Sequence, residues 1–382
     1  MKIIFDRKKI IAAVAPTMYA TANRAPVQAM EGILIDAAEG AETCVLTTYD
    51  GEKGIRTFVE ATVLESGSCI INSQKFNQII KVMDGEEITL QVDTSYNVSI
   101  SSVKSSFQLH ALPGKDFPNL PKLAGERGFS ISQKVLRRMI AKIEHSIAQN
   151  NQRNVLNGCL FKVNKEKLML VSCDTFKLSK CIKACELESK MAHGPLELEF
   201  VVPGKTLSEL MKLISDTEDK LDIILTLKHV IFKIDDIYFF SRMIDSEYID
   251  YERVIIKDHK IKVDISAPEF LGSLERAALV TEERIVGNVV PHVKLNFTEG
   301  TLNVSSVSIT GRVYEDIDIT HEGGDLEIGF YNRHLLDTLR AIDSDMLKLE
   351  LSSTLMSMNI IPVGLPEGEE DIYMVLPMRM RD

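Results

Sequence analysis

The sequence predicts an α+β protein built from three tandem repeats, each with two helices on an antiparallel sheet. Three observations carry this expectation. A short alternating strand, a capping residue and an amphipathic helix recur three times, at Ile3-Ile4-Phe5 then Asp6, Phe129-Ser130-Ile131 then Ser132, and Val263-Asp264-Ile265 then Ser266; the caps lie 126 and 134 residues apart. A second helix recurs with apolar residues at i, i+3, i+4 and i+7. Its copies are Phe76, Ile79, Ile80, Met83, then Leu207, Leu210, Met211, Ile214, then Leu335, Thr338, Leu339, Ile342, with only Thr338 breaking the stripe. The steps from 76 to 207 to 335 are 131 and 128 residues, in agreement with the first mark. Between the helices the apolar spacing switches to period two. A period this long means repeated domains, because solenoid units run only about 20–50 residues.

The first repeat, residues 1–122, opens on the strand around Ile3 and carries helices over 7–20 and 74–83. The second, 128–255, carries helices over 133–143 and 204–214, then an alternating run from Leu221 to Asp236 with Asp235-Asp236 as a hairpin turn. The third, 261–382, carries helices over 267–280 and 332–342, and Val293 to Val304 reads as a hairpin turning at Glu299-Gly300. Lys122 to Arg127 and Ile256 to Lys260 read as linkers.

A chain of 382 residues is too long for one ordinary core. Its 45% hydrophobic and 26% charged residues, with only 21 Gly and 12 Pro, exclude a disordered or collagenous chain. Four consecutive charges, Asp6 to Lys9, stand where a secretory apolar region would lie, and Ile10 to Asn23 is too short and polar to span a bilayer. A cytoplasmic protein with no membrane partner is expected. Cys44, Cys69, Cys159, Cys173, Cys181 and Cys185 show no C-x2-C pair and no His at zinc spacing, so they are read as reduced thiols, with no metal and no cofactor.

Net charge is -11, from 44 Lys+Arg against 55 Asp+Glu, which taken alone argues against a polyanionic partner. Its placement argues otherwise. The six helix windows sum to +10, leaving -21 for the rest. In the window 133–143, Leu136, Met139, Ile140 and Ile143 form an apolar stripe opposite Lys134, Arg138 and Lys142. Two readings stand: ordinary solvated helix faces, or a positive surface for a polyanion with an acidic exterior.

No catalytic constellation emerges. Gly204-Lys205-Thr206 opens a helix like the end of a P-loop, but Glu199 stands where the first Gly belongs and Phe200-Val201-Val202-Pro203 cannot cradle a phosphate. H-E-x-x-H and G-x-S-x-G motifs are absent, so the chain is read as a non-enzyme with no catalytic residues.

Six segments, in this order and spacing, carry a resemblance: Arg24-Ala25-Pro26, Lys115-Asp-Phe-Pro-Asn-Leu-Pro121, Leu156-Asn-Gly-Cys-Leu-Phe161, Asp250-Tyr-Glu-Arg-Val254, Leu326-Glu-Ile-Gly-Phe330 and Tyr373-Met-Val-Leu-Pro-Met-Arg379. Over its whole length the chain resembles the bacterial DNA polymerase III beta subunit, the family of sliding clamps. The resemblance implies three DNA-clamp domains per chain and a head-to-tail homodimer whose six domains form a ring around duplex DNA. Twelve helices side by side at roughly 10 Å give a circumference near ~120 Å and a diameter near ~38 Å, wide enough for a duplex. Contacts would run to phosphates, without base readout, and would be weak and salt-dependent. An acidic protein-binding scaffold that never encircles DNA is the alternative.

The family's DNA-contacting arginine matches Arg24, and its contacting amide lies in the loop holding Gln149 and Asn150; a plain surface turn charge remains the other reading of Arg24. Lys8, Lys75, Lys81, Arg137, Arg138, Lys142 and Lys205 would face DNA. Phe107 and Leu109 match one side of the family's dimer interface and Leu279 and Val280 the other, although alternation alone fits core equally well.

The resemblance also implies a pocket that docks short Gln/Leu/Phe-rich peptides of the DNA polymerase III alpha subunit, the clamp loader, translesion polymerases and repair proteins. Its matching positions are Leu156, Cys173, Thr175, Phe176, Lys177, Leu178, Ile249, Arg253, Val254, Val375, Leu376, Pro377, Met378 and Arg379. The methionine-rich end fits both a buried last strand and a promiscuous site. Where the family usually has Asp-Gly-His-Arg-Leu, this chain has Asp174-Thr-Phe-Lys-Leu178, and Ile249 replaces a proline, so peptide preference is expected to differ.

Overall fold

The computed structural model describes residues 1–22, 24–281, 292–308 and 311–379. Its helices are α1 (Arg7–Thr17), α2 (Ser73–Val82), α3 (Gln133–Ile143), α4 (Gly204–Leu213), α5 (Tyr251–Val254), α6 (Ala267–Ala278) and α7 (Asn332–Arg340). Six match the expected windows; α5 is a single turn that periodicity does not reveal. Side-chain oxygens of Asp6, Asn72 and Ser266 cap α1, α2 and α6 by accepting the N–H of Lys9, Lys75 and Glu269. Pro16 stands in the last turn of α1, and the chain tightens into a 3-10 turn over Met18–Ala20. Thr338, the residue that breaks the third stripe, is buried in α7 because its hydroxyl donates to the His334 carbonyl at 2.8 Å.

The chain divides into two compact units that do not follow the repeats. The first comprises Met1–Lys134, Glu188–Leu196 and Glu209–Met243. It holds one continuous 14-stranded sheet. In that sheet Lys53–Glu65, of the first repeat, pairs antiparallel with Ile237–Arg242, of the second. Strand Ser106–His110 forms one end of the strand order. Ile10 and Val14 of α1 and Phe76, Ile79 and Ile80 of α2 pack on Ile3, Phe5, Ile33, Leu46 and Leu90 of the strands. Each such side chain contributes about 1.5–3 kcal/mol by leaving water.

The second unit comprises Val135–Leu187, Glu197–Ser208 and Ile244–Asp382. Its nine-stranded sheet joins Lys177–Ala184 to Glu369–Val375 in antiparallel register from Lys177↔Val375 to Lys183↔Glu369. A separate four-stranded sheet ends on Arg312–Asp318 and contains the hairpin Val293–Thr298 and Thr301–Val307. Its turn falls at Glu299-Gly300, where Gly300 has φ +76°. Helix α7 is tied to α6 by the Asn332 amide donating to the Leu274 carbonyl at 3.1 Å. Strands that the repeat pattern assigns to one domain therefore pair with strands of the next, which satisfies edges that would otherwise be open.

Residues Glu197–Pro203 form a strand that runs directly into α4 at Gly204. No phosphate-cradling loop separates them, so the structure agrees with the rejection of a P-loop.

Candidate functional site: an exposed apolar surface and basic helix residues

The fourteen pocket positions lie on three segments of the second unit: 156–178, 249–254 and 375–379. Strands Lys167–Cys173 and Lys177–Ala184 are joined by a tight turn that places the first segment. Asp174 makes this turn by accepting the backbone N–H of Phe176 (2.8 Å) and of Lys177 (2.6 Å) on its carboxylate. Thr175, between Asp174 and Phe176, has φ +83°, a left-handed conformation that suits glycine and strains a β-branched residue. The turn is fixed to the chain end, because the Leu376 N–H donates to the Phe176 carbonyl (2.9 Å). Two residues on, the Met378 N–H donates to the Gly329 carbonyl (2.8 Å).

These positions separate into layers. Leu156, Cys173, Leu178 and Val375 are buried, the first three in a cluster with Tyr248, Tyr251, Ile255 and Met374. They support the surface and do not line it, a correction to the expectation that all fourteen face a ligand. Lys177 is also withdrawn: its ammonium lies 3.3 Å from Asp337 of α7 and 3.7 Å from Asp174, with its side chain only 6% exposed. Thr175, Phe176, Arg253, Val254, Leu376 and Arg379 are exposed, and Ile249, Pro377 and Met378 half-buried. Phe176 is 56% exposed, with its ring centroid 5.5 Å from that of His334, which in turn meets Tyr331 edge-on at 4.8 Å. Burial, then the Lys177 charge, holds His334 below the ordinary histidine range, so the ring is neutral at pH 7.

Sequence reasoning missed Tyr331, His334 and Asp337 at this site. It also missed the exposed Leu355 and Met356, carried to the same end of the sheet by the register Met358↔Val375. No local pattern marks these residues. Phe176 and His334 meet across 158 positions of chain, through a strand pairing that periodicity does not reveal.

Among the expected DNA-facing residues, Arg24, Lys8, Lys75, Lys81, Arg138, Gln149, Asn150 and Lys205 are exposed and Arg137 is half-buried. Arg24 and Asn150 both have positive φ, +60° and +58°, so each turn presents its side chain from a left-handed residue. Lys142 is the exception. Its ammonium lies 2.7 Å from Asp371 and 3.2 Å from Glu369. Burial would lower its pKa, but the hydrogen bonds and charges of Asp371 and Glu369 outweigh that and raise it. The structure removes Lys142 from the DNA-facing set, because two carboxylates already hold its charge inside the second unit.

Phe107 is exposed and Leu109 half-buried on the terminal strand Ser106–His110, while Leu279 is 85% exposed beyond α6 and Val280 is half-buried. For Phe107 and Leu279 this exposure excludes a core role. Strand Arg312–Asp318, at the end of the four-stranded sheet, carries the exposed Tyr314.

Among the described residues no group of three His, Cys, Asp or Glu is placed to hold a metal ion. Burial pushes the Cys44 and Cys69 thiols up to about 12 and raises Cys159 and Cys181 as well, so none of these four is a ready thiolate nucleophile. No described helix is long and apolar enough to cross a membrane.

Comparisons with known proteins agree over the whole chain. Residues 1–121, 130–250 and 252–379 match the family models of the N-terminal, central and C-terminal domains of the DNA polymerase III beta subunit. Beta sliding clamps of Staphylococcus aureus and Staphylococcus epidermidis are 29% and 28% identical over 390 and 389 residues, covering 99% of each chain. A crystal structure from Eubacterium rectale described as a DNA polymerase III beta subunit superposes with a TM-score of 0.90 at 30% identity over 100% of both chains. The DNA polymerase sliding clamp of Bacillus subtilis gives 0.90 at 25% identity, again over 100% of both.

Proposed function

The chain belongs to the DNA polymerase III beta subunit family, and from that premise we propose how its residues hold DNA and partners. It is a non-catalytic, ring-type sliding clamp that makes DNA synthesis processive. In this reading two copies associate head to tail. The terminal strand with Phe107 and Leu109 meets the region of Leu279, Val280 and Arg312–Asp318 of a second copy, which removes two open sheet edges and covers the exposed apolar side chains.

Duplex DNA passes through the ring, facing Lys8, Lys75, Lys81, Arg137, Arg138 and Lys205, with Arg24, Gln149 and Asn150 reaching from their turns. The observation that carries this reading is charge placement, +10 on six helices of a chain of net -11. Lys142, Lys9, Lys134 and Arg276 are held by carboxylates outside these helices, which leaves Lys8, Lys75, Lys81, Arg138 and Lys205 among the exposed helix cations for weak phosphate contacts. Such contacts carry no sequence information and let the ring move. Retention comes from closure.

The exposed layer around Phe176, Val254, Leu376 and Met378 docks short peptide segments of the polymerase alpha subunit, the clamp loader, translesion polymerases and repair proteins, in the cytoplasm. Replacing Leu376 and Met378 with Asp should abolish binding of a Gln/Leu-rich peptide while the oligomer mass stays unchanged. Unaltered peptide affinity would overturn the placement, and an altered mass would move the residues to the dimer interface.

A further inference from the structure

Strands of neighbouring repeats join twice, and both joins end in the same arrangement of a turn, a strand end and a hairpin tip. At the second join the Phe176 carbonyl, in the turn made by Asp174, accepts the Leu376 N–H, and the tip bearing Leu355 and Met356 lies beside that strand end. At the first join, inside the first unit, Asp50 accepts the N–H of Glu52 (3.0 Å) and of Lys53 (2.8 Å), Gly51 holds φ +100°, and the Glu52 carbonyl accepts the Arg242 N–H at 2.9 Å. The Met243 N–H then donates to the Lys228 carbonyl at 2.9 Å, which sets the tip Leu227-Lys228 beside this strand end. The positions correspond within the repeat: Lys53 to Lys177 is 124 residues, Leu227 to Leu355 is 128 and Arg242 to Leu376 is 134. The chemistry differs. Glu52, Lys228 and Arg242 stand where the second join has Phe176, Met356 and Leu376, and only the leucine at the tip is kept.

The first join leaves an apolar tip and two cations open to solvent. Leu227 is 91% exposed, Met243 and Tyr49 are half-buried, and Lys228 and Arg242 are exposed. Among the described residues neither of these two cations has an ion-pair partner, whereas Asp50 already holds Lys53 at 2.6 Å. Burial, then the charges of Arg242 and Lys228, hold His229 below the ordinary histidine range, so both cations act on one spot. Glu52 lies on the other side of the Arg242 strand from that spot, by the order of strands in the sheet. We propose that the first join is a second docking surface, whose occupant is an acidic peptide segment: its carboxylates meet Arg242 and Lys228, and an aliphatic side chain covers Leu227 and Met243. A phosphate backbone would answer the two cations and leave the leucine uncovered, which favours a peptide. The surface is separate from the docking positions described above and stands on its own geometry.

The test titrates the full chain, by fluorescence anisotropy, with a short labelled peptide of Asp and Leu, its Asn and Leu counterpart, a Gln/Leu-rich peptide and a single-stranded oligonucleotide. The Asp peptide should bind while the Gln/Leu-rich peptide is saturating, about 10-fold more tightly than the Asn peptide and more weakly as salt rises. Arg242→Glu with Lys228→Glu reverses two exposed charges. It should lower Asp-peptide affinity about 10-fold and leave the Gln/Leu-rich peptide within about twofold, and Leu227→Ser should weaken the Asp peptide about 3-fold. Displacement of the Asp peptide by the Gln/Leu-rich one, equal binding of the Asn peptide, no binding, or an affinity unmoved by these variants would overturn the proposal. So would an oligonucleotide affinity that they lower more than the peptide's. Failure of the earlier docking reading looks different: Leu376→Asp with Met378→Asp would then leave the Gln/Leu-rich peptide unaffected, while charge reversal still removed the Asp peptide.

Discussion

Thr175 holds φ +83° where the family pattern usually has glycine, so its turn is strained by the Cβ and its branch. Thr175→Gly should raise stability by about 1 kcal/mol, read as a higher urea midpoint at unchanged slope; a lower midpoint would mean the turn needs the threonine. Lys142 makes the opposite case. Its replacement by Met leaves Asp371, whose side chain is 1% exposed, without its cation and should cost about 3 kcal/mol. Arg138→Met, on the exposed side of the same helix, should change stability by under about 0.5 kcal/mol and instead flatten the salt dependence of DNA binding. Equal stability losses would contradict this assignment of roles. His145 adds a pH dependence. Burial, then the Lys177 charge, lowers its pKa to about 3, so the folded state stays neutral while the unfolded chain takes up a proton below about 6.5. Stability from this residue is therefore full above pH 6.5 and lost as pH falls toward 3. Between pH 7.5 and 5 the wild type should lose about 2 kcal/mol more than His145→Gln, by urea titration at each pH. Glu369 adds to the loss below about 4.5: burial would raise its pKa, but the hydrogen bonds from Lys183 and Lys142 lower it.

At the scale of elements, six of the seven helices among the described residues were legible because an amphipathic helix on a sheet must place an apolar residue every three or four positions, and that mark recurs with the repeat. The hairpin turns at Asp235-Asp236 and Glu299-Gly300 were legible as well, since left-handed backbone at Asp235 (φ +46°) and Gly300 favours those residue types. What stayed hidden was partnership between strands. Alternation says that a strand has a buried face and leaves open which strand it pairs with, so the union of Lys177–Ala184 with Glu369–Val375 was illegible, and with it the meeting of Phe176 with α7. Lys142 was misread for the same reason: its place in an i, i+4, i+8 row looks solvated until the strand bearing Asp371 is set beside it. Exposed strand ends carry their own prediction. Phe107→Arg, which changes an exposed side chain and keeps Leu109 packed on the core, should leave each chain folded, with an unchanged melting transition in a dilute sample, and halve the mass in solution. Retention of the dimer would place the interface elsewhere.

For the whole molecule, three repeats of one chain supply half of the proposed ring, and a second copy supplies the rest. Sedimentation should give about 86 kDa, twice the 42.8 kDa of the chain. Net charge is informative only after it is divided by element: the helices carry the positive surplus, and the strands and loops carry the acidic remainder. A ring held by closure can tolerate weak phosphate contacts, and a scaffold bound only by charge cannot. The most direct measurement loads the labelled protein onto nicked circular DNA with its loader, washes at about 0.5 M salt to screen charge contacts, and then cuts the circle once. Encirclement predicts that the protein survives the wash on the circle and runs off after the cut. Loss from the intact circle in that wash, or equal retention on circular and linear DNA, would contradict it.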